Sequence, residues 1–180
     1  MAFPANSEGF FYRKSLISAD EPTIFDFILT DDEAVRVGDA VDLTSGFIQV
    51  VDAGDPVLGV VQGIVDQNGL AVNHASADID GTVNDDVSYT AAADNETDKK
   101  VRVQCIVSPF AVFYNDADST LTQAEVGRFF DTTATGDQIT SSGGANGQFQ
   151  LISLDPDGDA DASKGLFKIA ETQLFAYAQQ

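Results

Sequence analysis

Tryptophan is absent from this 180-residue chain, and cysteine and histidine occur once each. A single cysteine excludes an intrachain disulfide and a cysteine-built metal site. Basic residues are also scarce: 9 Lys+Arg stand against 29 Asp+Glu, a formal net charge of −20. Affinity for nucleic-acid phosphate rests on Lys and Arg displacing counterions, so no nucleic-acid partner is expected. No run approaches the roughly 18 apolar residues that a membrane-spanning helix requires, and no membrane partner is expected. The first residues, Met1 to Gly9, lack the basic start and apolar stretch of a secretion leader, and none is expected. His74 has no Gly-x-Ser-x-Gly elbow to serve, and reads as a surface or strand-end residue. No glycine-rich loop followed by Lys-Ser or Lys-Thr is present to cradle phosphate. Paired carboxylates could still do glycoside chemistry, but without tryptophan the usual large stacking surface for a sugar is missing.

What remains is a chain that folds. Hydrophobic residues make up 43% and aromatics 9%, too much for a solvated tail. The length suits one domain. Size scaling gives a folded surface of roughly 8,400 Å², so excess charges lie about 20 Å apart, beyond the Debye length of about 8 Å at physiological salt. The acidity is therefore compatible with a compact fold.

Hydrophobic alternation points to strands almost throughout. Phe25, Phe27 and Leu29 share one face of the stretch Thr23 to Leu29. Val35-Arg36-Val37 and Val41-Asp42-Leu43 flank a Gly38-Asp39 turn, and Phe47 to Val51 follows Ser45-Gly46. Pro56 to Val65 is apolar on both faces, which suits a central strand, with glycines that allow a bend or close backbone approach. Gln67-Asn68-Gly69-Leu70 resembles a hairpin turn. Lys100 to Val107 and Phe110 to Tyr114 are strong strands broken at Pro109, and alternation turns Val101, Val103 and Cys105 inward, Arg102 and Gln104 outward. Thr122-x-x-Glu125 has the form of a capping box, with Gly127 limiting it to a turn or two. Phe149 to Leu154, Leu166 to Thr172 and a last strand near Leu174 to Ala178 complete the series. A strand-like island at Val87-Ser88-Tyr89 interrupts the acidic connection from Asp78 to Asp98. The expectation is an all-β fold: a compact antiparallel β-barrel or sandwich with long polar loops, residues 1–20 forming an extended N-terminal arm and 21–180 a single β-domain.

Two features are candidates for function. Alternate carboxylates at Asp155, Asp157, Asp159 and Asp161 are what a hard cation such as calcium takes, but the turn glycine and bidentate glutamate of an EF-hand are missing. A solvated acidic turn is the expectation, with no metal, cofactor or catalytic residue. The other is aromatic: Phe3, Phe10, Phe11 and Tyr12 at one end and Phe175 and Tyr177 at the other, where chains are ordinarily polar. They read either as an arm docking on a partner or as an edge strand packed on the domain itself.

The run Val37-Gly38-Asp39-x-Val41, Ser45-Gly46-Phe47-Ile48 and Pro56-Val57-Leu58-Gly59-Val60-Val61 resembles the capsid decoration (cement, head auxiliary) proteins of tailed bacteriophages. Val126 to Asp131, Gln148 to Leu151 and Leu154-Asp155-Pro156 are similar to later parts of phage virion proteins. The resemblance covers about half of the chain and consists of turn and strand patterns. It implies a small β-barrel and a non-enzymatic virion protein, assembled in the host cytoplasm, that binds the major capsid protein on the outer capsid surface as a homo-oligomer, with a trimer favoured. The competing readings are a ligand-binding β-module, calcium-dependent or carbohydrate-binding, and an enzyme using two carboxylates.

Overall fold

The computed structural model describes residues 9–16, 22, 24–71, 89–140, 147–155 and 163–176. In chain order the elements are β1 (Phe11–Ser15), β2 (Ile24–Ile28), β3 (Ala34–Val35), β4 (Ala40–Thr44), β5 (Phe47–Val50), β6 (Gly59–Asp66) and β7 (Tyr89–Thr90). A single helical turn, α1 (Asn95–Asp98), precedes β8 (Val101–Ile106) and β9 (Ala111–Asp116). A 3-10 turn (Gln123–Glu125), β10 (Phe129–Phe130), β11 (Phe149–Leu154), β12 (Lys164–Ile169) and α2 (Glu171–Ala176) follow.

Two five-stranded antiparallel sheets form a sandwich, with strand orders β1-β9-β12-β11-β10 and β2-β8-β6-β4-β5. β3 and β7 make a separate two-stranded ladder. The second sheet curls until Leu29 meets Ile48 in an isolated bridge, but it does not close. Of the two architectures expected, the sandwich is the one present, and the small closed barrel is not.

The layer between the sheets is aromatic. Phe10, Phe113, Phe149, Leu151, Phe167 and Ile169 meet Ala40, Val60 and Ile106 of the facing sheet, all buried. Phe10 stacks on Phe149 with centroids 4.2 Å apart and stands edge-on to Phe113 at 6.4 Å. Each such ring, fully buried, contributes about 1.5–3 kcal/mol. A second core fills the curl of the other sheet, where Val41, Val61, Ile64, Val103 and Cys105 meet Leu29, Val35 and Ile48.

Two glycine contacts make this packing possible. A Cβ on Gly59 would lie 2.5 Å from the Ile106 carbonyl oxygen, so no other residue lets β6 pass β8 this closely. Gly38, at φ 98°, lies against Gly9, and the Gly38 carbonyl accepts the Phe10 N–H at 2.7 Å. That crossing delivers the Phe10 ring between the sheets. Residues 10–15 are thus an edge strand of the domain itself rather than part of a free arm, because burying the ring needs no partner.

Long connections bring unpaired backbone groups toward the interior, and buried polar groups must find partners there. Three buried amide side chains supply them. Gln148 accepts the Thr132 N–H and hydroxyl through Oε1 and donates through Nε2 to the carbonyls of Asp52 and Asp55. Asn115 donates to the Asp137 carbonyl and accepts the Ile139 N–H. Asn95 donates to the carbonyls of Leu29 and Val101 and accepts the Val101 N–H.

The alternation read in β8 is present: Val101, Val103 and Cys105 are buried, while Arg102 and Gln104 are half-exposed. Burial pushes the Cys105 thiol far above its ordinary pKa, and the nearby Asp26 charge adds to this. The Thr122 to Glu125 capping box is formed, with the Thr122 N–H donating to Glu125 at 2.6 Å. The strand expected at Leu174 to Ala178 is instead helical over Glu171–Ala176, and β12 stops at Ile169. Gln173 shows why the chain turns there: its buried side chain accepts the Val57 N–H at 3.3 Å, a tertiary bond that local alternation does not reveal. Nor does the expected strand at Val35-Arg36-Val37 persist, since β3 ends at Val35 and Val37-Gly38 turn.

Two outcomes follow. Phe10→Ala should cost about 3–5 kcal/mol, read as a lowered denaturant midpoint at unchanged slope; a loss under about 1 kcal/mol would mean that the ring lies outside the core. Cys105 should react with a thiol reagent at least a hundredfold more slowly in the native protein than in denaturant; equal rates would show β8 misplaced.

Candidate functional site

Three surface features have the geometry of contact sites: two polar clefts and one apolar edge. The first cleft, about 390 Å³, is lined by Glu33, Ala34, Arg36, Asp39, Val50, Ala134 and Thr135. The tight turn after β3 places Arg36 three residues before Asp39, whose carboxylate accepts the Arg36 N–H at 2.6 Å. The Arg36 guanidinium then donates to Asp137 at 2.6 Å, binding this turn to a connection 101 residues later in the chain. Burial pushes Asp39 up to about 7 against the lowering effect of Arg36, and the charges of Asp137 and Glu33 add to the rise. Burial also raises Asp137, but the hydroxyls of Thr135 and Thr133 and the Arg36 charge outweigh it and hold that carboxyl below its ordinary value. The cluster is turned inward on its own chain: Asp137 serves two threonines and an arginine, and Asp39 a backbone amide.

The second cleft, about 380 Å³, lies beside the β4–β5 hairpin and is lined by Asp42, Leu43, Thr44, Ser45, Gln49, Asp55 and Pro56. Asp42 accepts from Thr44 and Gln49, each at 3.3 Å, through one oxygen, and its other oxygen is buried without a hydrogen-bond partner. Burial pushes Asp42 up to about 6, opposed by those two bonds and assisted by the charges of Asp55 and Glu33. The lining thus carries two acids, Asp42 and Asp55, and three neutral polar side chains, Thr44, Ser45 and Gln49. Among the described residues no group of three or more His, Cys, Asp or Glu is placed to hold a metal ion.

The third feature surrounds the β8–β9 turn. β1 ends there, where Leu16 N–H donates to the Phe110 carbonyl at 2.9 Å, and β2 begins there, where Ile24 pairs with Ile106. Three large apolar side chains remain exposed about this end, Leu16 at 46%, Ile24 at 49% and Phe110 at 38%, and Phe25 at 48% is exposed on the opposite face of β2. β2 is also an edge. Leu29 N–H reaches the Val101 carbonyl at 3.5 Å, so in this antiparallel register the odd-numbered residues of β2 bond to β8. The backbone groups of Ile24, Asp26 and Ile28 therefore point away from the sheet, as does Thr30 N–H, which donates to Ile48 of β5 at 2.9 Å. β5 could cover the rest only by extending N-terminally, but it begins at Phe47 after the Ser45-Gly46 turn. Among the described residues no strand pairs with the outer edge of β2 over residues 24–26, while at Ile28 the edge meets β5 through the parallel Leu29–Ile48 bridge.

The residues singled out from the sequence are placed as follows. Phe10 is fully buried in its own core, which leaves no ring surface for a partner. Phe11 and Tyr12 are half-buried in β1, Tyr12 edge-on to Phe113 and Phe11 packed beside Val112, Tyr114 and Leu166. The backbone of Phe175 belongs to α2, and its side chain lies outside the described residues, as do Phe3 and Tyr177. Asp155 directly follows β11, whereas Asp157, Asp159, Asp161 and His74 lie outside the described residues. Phe25 was read from alternation as sharing the face of Phe27 and Leu29. It does share that face, yet it stays exposed while Leu29 is buried, because the curl of the sheet covers only one end of β2. The two clefts gave no sequence signal beyond Gly38-Asp39, since Asp137 comes from a distant connection.

No protein-family model matches the chain, and no curated protein matches it in sequence. Solved structures similar to it include the crystal structure of the pre-mature bacteriophage phi29 gene product 12, at 13% identity and TM-score 0.39, covering 91% of this chain and 21% of that one. The chain thus spans about a fifth of that protein's length. A C-terminal fragment of bacteriophage phi29 gene product 12 is similar at 14% identity and TM-score 0.37, over 80% of this chain and 96% of the fragment. Both neighbours are phage proteins, and a likeness of this degree carries no argument about function.

The Asp39 cluster generates a pH prediction. A carboxyl whose pKa is raised on folding binds more protons folded than unfolded between pH 3.8 and about 7, so its contribution to stability falls as pH rises through that window. Asp39→Asn keeps an acceptor for the Arg36 N–H and removes the titration. Between pH 5 and pH 8 the wild type should lose on the order of 2 kcal/mol more stability than the variant. Parallel pH profiles in denaturant melts would show that Asp39 is ionised throughout.

Proposed function

We propose that the chain is a non-enzymatic structural protein of a tailed-phage virion that binds the major capsid protein on the outer shell and stabilises it. The observation that carries this reading is the apolar end about the β8–β9 turn: Leu16, Ile24 and Phe110 stay exposed there on a chain of charge −20. Such a patch, on a surface otherwise dominated by acid, marks a protein contact. The resemblance of the Gly38-Asp39 turn, the β4–β5 hairpin and the Leu58-Gly59-Val60-Val61 strand to decoration proteins supplies the shell as its partner. In keeping with a contact role, the charged side chains of the Arg36 cleft are bonded to their own chain rather than aimed outward. Strong negative charge also keeps such a protein off the DNA being packaged. A homo-oligomer, most simply a trimer, is part of the same proposal.

The test is rebinding to capsid particles stripped of this protein. Wild-type protein should saturate a fixed number of sites and raise the temperature at which the particles break. The double variant Leu16→Glu, Phe110→Glu should bind at least tenfold more weakly with its own melting temperature within a few degrees of wild type. Failure of the wild type to rebind would overturn the capsid reading.

A further inference from the structure

Among the described residues, no strand covers the outer edge of β2 over residues 24–26. Sheet edges are ordinarily blunted by lysine, proline, a bulge or a covering segment. Ile24-Phe25-Asp26-Phe27-Ile28 has no proline, lysine or register shift, and its central residue is the one charge. The backbone groups of Ile24, Asp26 and Ile28 point outward, and Ile24, Phe25 and Asp26 are exposed. The stretch that β5 leaves open, Ile24 to Phe27, is still within ordinary strand length and can seat an added strand.

We infer that this edge takes an added β-strand from another protein, an extended apolar segment carrying lysine or arginine, so that the sheet becomes six-stranded on binding. Main-chain bonds to Ile24 and Asp26, at the end of the edge that β5 leaves open, supply affinity, and alternate side chains of the incoming strand cover Phe25 and Phe27. Charge selects the occupant. Asp26 is 39% exposed although it touches Arg102 at 3.5 Å and Gln104 at 3.2 Å, and Asp31 and Asp32 follow at the C-terminal end of the strand. A basic residue on the incoming strand meets this acidic rim. A second copy of the chain is disfavoured on two grounds: the antiparallel register that overlaps all five residues sets Asp26 directly against Asp26, and each copy brings a charge of −20. The inference rests on the capsid reading only for the identity of the donor, which would then be an extended segment of the shell protein.

Amide hydrogen exchange on the full chain tests the edge without any capsid. The probe is a nine-residue synthetic peptide of alternating valine and threonine with lysine at both ends; its counterpart carries glutamate in place of lysine. The lysine peptide should slow exchange at Ile24 and Asp26 at least tenfold, and the glutamate peptide should leave these amides unchanged. Asp26→Pro removes an outward N–H and no main-chain bond to β8, and Asp26→Asn serves as the control for the loss of its charge toward Arg102. The proline variant should abolish the protection, and Asp26→Lys should reverse the preference between the peptides. A wild type protected by neither peptide overturns the inference, as does protection that grows with protein concentration alone, which would make the occupant a second copy. Because no particle is involved, these results stand apart from a failure to rebind capsids.

Discussion

The structure depends on a single layer of phenylalanine rings held between two sheets. Phe10, Phe113, Phe149 and Phe167 come from four strands of one sheet or its margin, and together they set the distance at which the facing Val60 and Ile106 can pack. Phe130, edge-on to Phe167, extends the same layer, and the facing sheet presents only aliphatic side chains and alanine to it. This layer also explains the connectivity. The C-terminal half of the chain builds most of one sheet, and β1 must cross from the N-terminus to complete its edge so that Phe10 can stack on Phe149.

Polar consequences follow from that choice. Rings of this size keep the sheets apart at their margins, and the connections that span those margins carry backbone groups with no strand to bond. Gln148, Asn115 and Asn95 answer this need with eight hydrogen bonds to main-chain atoms at burial near completion. Satisfied in this way, a buried amide fixes its loop; left unsatisfied, each partner would cost about 1–3 kcal/mol. The Arg36 cluster does the same with charge, joining the turn at Gly38 to the loop at Asp137. Rigid loops in turn leave the surface features where a partner could find them.

The free edge of β2 arises from a mismatch of length. β5 is four residues long and starts at a tight turn, so the curled sheet meets itself only at Leu29 and Ile48. A longer hairpin would have closed the sheet and hidden Ile24 to Ile28. Stopping short leaves an apolar strand, its outward backbone groups and an acidic rim side by side, and the contact reading of this molecule grows from that combination.

Much of the fold was legible locally. The alternation of Val101, Val103 and Cys105, the two-sided apolar run of Gly59 to Val65 and the Thr122 to Glu125 capping box each depend on neighbours a few residues away, and all three are present. What local pattern could not decide was which surface each apolar face would meet. Phe10 and Phe25 look alike as aromatics in short strand-like runs, yet one is wholly buried and the other half exposed. The difference lies with Gly38 and Phe149 for the first, and with the early start of β5 for the second. Gln148 and Gln173 are unremarkable in the sequence because their partners are 93 and 116 residues away. Periodicity reports the side of a strand on which a residue lies, and it determined the strands of this protein; burial and the free edge depend on contacts distant in sequence, and only the tertiary structure decided them.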